Sequence, residues 1–219
     1  AELDELVEAG FLSRGGDGEL VFARGLVREV IYEALPLRAQ KDAHARIGRL
    51  LASRFFAGRE EPPAVIAEHM ERGGETAAAA AFWLRAGRVA LAASDAVAAA
   101  VHFTRVLDLE RELGPTPPTQ TSRTRRREAL AGRETAHRLA GDLARDPSDL
   151  DDLQRLCEGD PRRLADVAIR RAHRALRIGD FAACNAATVL AEDLAVAAHD
   201  NRARAEALRI RGEVLERLG

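Results

Sequence analysis

Small residues recur at helical spacing along most of this chain, and they limit its possible folds more than any other feature. Between residues 79 and 113, alanines and glycines alternate with large side chains at intervals of three and four: Trp83, Ala86, Gly87, Ala90, Ala99, Phe103, Val106 and Leu107. Small side chains at such intervals let two helices approach closely, and the large ones fill the space between neighbouring pairs. The pattern predicts antiparallel helix pairs that bury their apolar faces by stacking.

The same register returns twice near the end of the sequence. The first return comprises Ala168, Ala172, Ala175, Gly179-Asp180-Phe181, Cys184 and Ala191, and the second comprises Ala205, Leu208, Gly212, Leu215 and Gly219. The interval between Gly179 and Gly219 exceeds the period of about 34 residues that tetratricopeptide repeats show, so we expect longer helices. Residues 122–158 match the register poorly. The fold predicted is all-α, a tetratricopeptide-like α-solenoid.

The first 36 residues follow a different pattern. Leu3, Leu6 and Val7 have helical spacing, and Gly10 ends that helix. Two short apolar runs then flank the turn Gly15-Gly16-Asp17-Gly18, which predicts a β-hairpin. Leu26, Val27, Val30, Ile31 and Leu35 resume the helical period up to Pro36. Helix, hairpin and helix in this order predict the second half of a winged-helix domain.

These patterns divide the chain into four parts. Residues 1–36 form the partial winged helix, and residues 37–114 form a helical region that contains the first clear repeat pair. The run Gly114-Pro115-Thr116-Pro117-Pro118 opens a linker at 115–121. Further helix pairs occupy 122–219, with helices expected near 122–144, 148–158, 162–177, 181–198 and 202–218.

Composition excludes several classes of protein. The formal net charge is −2 and aromatic residues make up 4%, so no global field attracts nucleic acid or acidic membranes. No apolar run is long enough for a membrane span, and no basic-then-apolar signal peptide is present. Cys157 and Cys184 are isolated, which favours a reducing cytoplasm with both thiols in the core. The chain begins with Ala1, and its only methionine is Met70, so we expect a piece of a longer protein.

The histidines offer no catalytic or metal-binding motif. They are His44, His69, His102, His137, His173 and His199, and none forms HExxH or a cluster with cysteine. His44 and His69 lie on or beside apolar helix faces, where a hydrogen-bonded core or interface histidine is the usual case. We therefore predict no catalytic, cofactor-binding or metal-binding residue in this chain, and no enzyme activity.

Three charged or glycine-rich runs have structural interpretations. Asp146, Asp149, Asp151 and Asp152 lack the glycine and glutamate that a calcium loop needs, so helix capping is expected. Gly15-Gly16-Asp17-Gly18 precedes a strand and not a helix, which argues against a phosphate cradle. The basic stretch Arg123, Arg125, Arg126, Arg127, Arg133 and Arg138 has no interleaved aromatic residues, so a solvated or ion-pairing role is expected over nucleic-acid binding.

The chain resembles the region that follows the nucleotide-binding core of bacterial STAND-class P-loop ATPases. The resemblance rests on Phe22–Pro36 with His44 in the next helix, on Ala67-Glu68-His69, on Ala81–Gly87 and on Gly179-Asp180-Phe181. Arg24 stands where that family commonly has histidine. The sequence contains no GxxxxGK[ST] motif, so ATP and Mg²⁺ would bind only in an upstream domain of the parent protein.

The resemblance implies a regulatory function. The chain would be the sensor arm of a larger cytoplasmic signalling ATPase, of the kind often joined to a protein kinase or nucleotide cyclase, and its partner would be a protein or its own ATPase domain. One alternative is a fragment of a LuxR-associated DNA-binding regulator, which the acidic residues Glu2, Asp4, Glu5 and Glu8 oppose. The others are a fragment that contributes to ATP hydrolysis and a structural spacer.

Overall fold

The computed structural model describes residues 2–16, 19–114, 119–142 and 148–218. Asp17, Gly18, residues 115–118 of the expected linker, Asp146 and Gly219 lie outside the described residues. The described residues form eleven helices and two strands, which confirms the all-α class with one small hairpin. The elements are α1 (Glu2–Glu8), β1 (Leu12–Arg14), β2 (Leu20–Phe22), α2 (Gly25–Ala34), α3 (Leu37–Phe56), α4 (Pro63–Arg72), α5 (Thr76–Ala92), α6 (Ala96–Glu112), α7 (Gln120–Ala140), α8 (Ser148–Leu156), α9 (Pro161–Ile178), α10 (Phe181–Ala197) and α11 (Asn201–Leu218).

Aspartates mark the starts of the later helices. The side chains of Asp95, Asp160 and Asp180 accept hydrogen bonds from backbone N–H groups in the first turns of α6, α9 and α10, at 2.9, 3.1 and 2.9 Å. Asp200 does the same for α11 through the N–H of Ala203, at 3.0 Å. Each bond satisfies an N–H group that has no partner inside its helix. The sequence-based helix starts in this region are accurate for that reason.

The helices pack mainly against their neighbours in sequence. The most extensive contacts join α9 to α10 and α5 to α6, and every helix from α3 to α11 contacts the next one along the chain. Contacts that skip one helix join α5 to α7 and α9 to α11. Contacts between helices that are neighbours in sequence therefore dominate the packing.

Phe103 is the clearest case of the small–large packing that the sequence predicted. Its ring is buried between two glycines, Gly87 of α5 and Gly132 of α7. A Cβ atom at Gly87 would lie 2.6 Å from this ring, and one at Gly132 would lie 2.4 Å from it. Three helices therefore meet at Phe103 because two of them have no side chain there.

The predicted register is wrong for α11. Leu208 and Leu215 are 45% and 62% exposed, whereas Ala207, Ile210 and Val214 are buried. Among the described elements α11 packs on α9 and α10, so only the face that carries Ala207, Ile210 and Val214 is covered. The alignment on glycine spacing placed the buried face one residue out of phase.

The N-terminal segment has its predicted elements but little core. Leu12 pairs with Phe22 and Arg14 with Leu20 in the antiparallel hairpin, and Arg14 forms an ion pair with Asp4 of α1. Neither α1 nor α2 contains a buried residue. Leu26 and Val30 of α2 are 72% and 59% exposed. The apolar period that predicted α2 is thus correct, but its apolar face lies open.

Candidate functional site

A groove of about 670 Å³ crosses α7, α9 and α11, with the end of α8 at one wall. We call it the α7–α9–α11 groove. It is lined mainly by charged residues, with a few aliphatic ones: Arg127, Glu128, Ala131, Leu153, Cys157, Asp160, Arg162, Arg163, Asp166, Val167, Ile169, Asp200, Arg202, Ala203 and Glu206. No aromatic residue is among them, so the groove offers no platform for stacking a base.

A half-buried arginine joins two of the helices that form this groove. Arg170 of α9 donates from Nη1 to the Glu134 carboxylate at 2.7 Å, to the Thr135 hydroxyl at 2.9 Å and to the Ala131 carbonyl at 3.1 Å, all on α7. A guanidinium with several acceptors on a neighbouring helix fixes the position of that helix. The floor between α7 and α9 is therefore a well-defined surface.

The carboxylates of the groove all have cationic partners. Asp200 pairs with Arg162 at 2.9 Å, Asp160 with Arg163 at 2.9 Å, and Asp166 with Arg170 at 2.9 Å. Glu128 pairs with Arg88 and Glu206 pairs with Arg209, so these two carboxylates, like Asp166, have partners outside the lining. Each carboxylate of the lining thus has an arginine of this protein against it.

Two arginines of the groove differ from the rest. Among the residues that the structure describes, neither Arg127 of α7 nor Arg202 of α11 has an ion pair or a side-chain hydrogen bond. Arg127 is half-buried and Arg202 is exposed. A guanidinium presents five donors, so both side chains remain available to an acceptor from another molecule.

The two thiols are core groups. Cys157 closes the wall of the groove but is buried, and burial raises the pKa of its thiol against the opposing effect of Arg127 and Arg163. Cys184 is buried too, its thiol donates to the Ala172 carbonyl at 3.3 Å, and burial raises its pKa. Raised pKa values disfavour the thiolate, so neither group is suited to nucleophilic chemistry.

A second site joins α2 to α3 and α4, and we call it the histidine cavity. It has a volume of about 360 Å³ and is lined by Arg28, Glu29, Tyr32, His44, Glu68, His69 and Arg72. The Tyr32 hydroxyl lies 3.0 Å from Nε2 of His44, and Nδ1 of His44 lies 2.9 Å from Nδ1 of His69. The side-chain amide of Gln40 donates to the Tyr32 carbonyl at 2.9 Å and to the Leu35 carbonyl at 3.0 Å. These contacts tie α2 to the helices that follow.

The protonation of the two histidines is coupled by this geometry. Burial lowers the pKa of His44, and His69 and Arg72 lower it further. Burial also lowers the pKa of His69, with Glu68 opposing. A hydrogen bond between two Nδ1 atoms requires one protonated and one unprotonated nitrogen, so the pair tolerates at most one positive charge.

The other histidines lie apart. His102 stacks on Trp83, with ring centroids 5.1 Å apart, and burial lowers its pKa. His173 contacts Glu206 at 3.1 Å, while His137 lines a separate cleft beside α6. Across the described ranges, no three His, Cys, Asp or Glu side chains are placed to hold a metal ion.

Several arginines of the basic stretch form ion pairs within the protein. Arg125 donates to the fully buried carboxylate of Glu110 at 2.5 Å, and Arg133 donates from Nε to Asp149 at 2.8 Å. Arg138 lies 3.6 Å from Glu134. The carboxylate of Asp149 thus forms an ion pair that joins α8 to α7. The sequence missed both the absence of an ion pair at Arg127 among the described residues and the contact of His44 with His69, because each depends on how helices are rotated against one another.

None of the helices within 2–16, 19–114, 119–142 and 148–218 combines the length and the apolar character needed to cross a bilayer. Comparison with models of known protein families and with curated proteins gave no match to this chain.

Proposed function

We propose that this chain is the regulatory, protein-binding arm of a larger cytoplasmic signalling ATPase, and that a partner protein binds in the α7–α9–α11 groove. The single observation that carries the proposal is the groove itself, which is continuous across three helices that come from separate layers. A surface of this kind suits an extended segment of another protein better than a small molecule, because it is open and mostly charged.

The finer fold is part of the same proposal. Contacts between sequence neighbours, together with those that join α5 to α7 and α9 to α11, support a tetratricopeptide-like solenoid with α5, α7, α9 and α11 on one face. The order of α1, the hairpin and α2 supports the tail of a winged helix. The exposed side chains of Leu26 and Val30 support packing of α2 against another domain, which the resemblance to STAND ATPases would make the ATPase core.

The proposed mechanism couples these two surfaces. The arm restrains the ATPase while the groove is empty, and partner binding in the groove shifts the arm to a state that releases it. Such coupling requires the partner to bind the released state more tightly than the restrained one. The charges of the arm favour a protein over DNA as the partner, because Arg125 and Arg133 are already paired with Glu110 and Asp149.

Peptide selection followed by amide-shift mapping tests the binding half of the proposal. Peptides selected from a displayed random library are synthesised and titrated into the isotopically labelled chain. We expect the shifted amides to cluster on α7, α9 and α11. Shifts confined to other helices, or binding of ATP by the chain with no peptide binding, would contradict it.

The regulatory half is tested in the longer parent protein. ATP hydrolysis is measured with and without a peptide that maps to the groove. We expect the peptide to raise the hydrolysis rate, and a rate that does not change at saturating peptide would refute regulation through this surface.

A further inference from the structure

We infer that the partner segment which enters the α7–α9–α11 groove is acidic, and that its carboxylates bind Arg127 and Arg202. This inference rests on the proposed function and names the chemistry of the partner. Both arginines line the same groove, and neither has an ion pair or side-chain hydrogen bond within the described part of the chain.

The charge balance of the groove carries the argument. Each of its carboxylates has a cation of this protein against it, whether Arg162 and Arg163 in the lining or Arg88, Arg170 and Arg209 beside it. Among the described residues, Arg127 and Arg202 are the two arginines of the lining that have no carboxylate against them. A partner that supplies two carboxylates would complete the pairing, and charge-assisted bonds to guanidinium groups are strong.

The N-termini of the helices do not supply the positive charge that would attract an anion to the groove. The first turns of α9 and α11 reach the groove, but Asp160 and Asp200 each accept from one N–H group there, and their carboxylates oppose the approach of another anion. The anion-binding capacity of the groove is therefore a property of the two guanidinium groups. Their separate positions on α7 and α11 fit discrete carboxylates on a peptide.

A nucleic acid fits the groove less well. No aromatic side chain stands among the lining residues, so a nucleic acid would gain nothing from base stacking, and two guanidinium groups on separate helices offer few contacts to a continuous chain of phosphates. Ala131, Ile169 and Ala203 are partly exposed and offer aliphatic surface between the charges. That surface suits the apolar side chains of a peptide.

Fluorescence anisotropy with short labelled peptides tests the inference. The probes are a peptide of alternating glutamate and alanine, the same peptide with glutamine for glutamate, and one with lysine for glutamate. We expect the glutamate peptide to bind about tenfold or more tightly than the glutamine peptide, since hydrogen bonds between two charged groups are stronger than those to a neutral amide. The lysine peptide should not bind. Equal binding of the glutamate and glutamine peptides would overturn the inference.

Single substitutions then locate the site. We expect Arg127→Gln and Arg202→Gln each to weaken binding of the glutamate peptide about tenfold, and Arg127→Lys to retain part of it. Arg126→Gln is the matched control, because Arg126 is exposed on the same helix but lines a different cleft. Circular dichroism confirms that each variant is folded. An equal loss in the Arg126 variant would overturn the inference, since it would reduce the effect to overall charge.

Two competitors separate the acidic peptide from other anions. Inorganic phosphate and a single-stranded oligonucleotide are titrated against the bound glutamate peptide. We expect neither to displace it at concentrations comparable to its dissociation constant, and displacement by either would overturn the assignment to carboxylates. If instead library-selected neutral peptides map to the groove, this inference fails while the proposed function stands. If no peptide of any charge maps there, both fail.

Discussion

His44 and His69 come from adjacent helices, and their Nδ1 atoms lie 2.9 Å apart beside the Tyr32 hydroxyl. The pKa of each ring lies below its usual value, chiefly because of burial. A base whose pKa is lower in the folded chain binds protons more readily when unfolded, so stability rises with pH through this range. The contribution is fully present above the unfolded pKa of about 6.5 and is lost as the pH falls through the folded values.

The first prediction concerns acid stability. We expect the midpoint temperature of unfolding to fall between about pH 7.5 and pH 5.5, because protonation of both rings removes their hydrogen bond. His69→Asn should reduce that fall, since an amide can bond to Nδ1 of His44 without titrating. Differential scanning calorimetry at a series of pH values measures both chains.

His199→Asn is the matched control for this prediction. His199 is exposed and has a φ angle of 52°, a conformation that asparagine also tolerates. We expect the midpoint temperature of the His199→Asn variant to depend on pH in the same way as that of the unmodified chain. A His69→Asn variant with the same acid sensitivity as that chain would show that the pair does not control it.

The second prediction concerns Glu71, which joins three helices. Its carboxylate accepts from Arg105 Nε of α6 at 2.9 Å and from Trp83 Nε1 of α5 at 2.8 Å. The bond from Arg105 lowers the pKa of Glu71 and burial opposes it. We expect Glu71→Gln to lower the free energy of unfolding by about 1–2 kcal/mol, because the charge-assisted bonds are lost at a partly exposed site. Urea denaturation followed by circular dichroism measures it, and emission from Trp83, the only tryptophan, reports the local change.

Asp152→Asn provides the comparison for Glu71→Gln. Asp152 pairs with Arg155 on one helix, and both side chains are exposed. Exposed pairs contribute roughly 0–1 kcal/mol, so this substitution should have a small effect. Equal losses at Asp152 and Glu71 would contradict a special role for the contact between α4, α5 and α6.

The third prediction is that both thiols react slowly in the folded chain. Cys157 and Cys184 are buried, and burial raises the pKa of each. We expect an aromatic disulfide reagent to modify them only on unfolding, while the exposed side chain introduced by Ser53→Cys reacts at once. Absorbance of the released thiolate gives both rates. Native cysteines that react as fast as the one introduced at position 53 would contradict their buried placement.

How far the sequence predicts this molecule depends on the range of each interaction. The helix starts expected near residues 162, 181 and 202 agree with the structure because the caps at Asp160, Asp180 and Asp200 act over one turn. The register from Ala86 to Phe103 predicted a buried seam because adjacent helices share it. The contact of Phe103 with Gly132 was missed, although Ala129, Gly132 and Ala136 repeat the same small-residue spacing on α7.

The candidate sites could not be predicted from the sequence, because they depend on contacts between different helices. Arg125 and Arg127 are near neighbours on α7, yet Arg125 binds Glu110 of α6, whereas Arg127 lines the groove and has no ion pair within the described ranges. Which of the two is free is decided by the rotation of α7 against its neighbours. Sequence periodicity gives the buried face of a helix, but it does not give the partner of each charge on the opposite face.

The last prediction tests the meeting of three helices at Phe103. We expect Gly132→Ala to destabilise the fold by about 1–2 kcal/mol, although alanine is intrinsically the better helix former by about 1 kcal/mol, because its Cβ would lie 2.4 Å from the buried ring. Gly212→Ala is the matched control, since nothing lies within 4 Å of a Cβ there, and it should be neutral or stabilising. In a Phe103→Leu background the cost of Gly132→Ala should shrink, because the atoms it strikes are gone. Urea denaturation of the four chains gives the coupling free energy. A Gly132→Ala variant as stable as Gly212→Ala would mean that α7 does not approach Phe103 this closely.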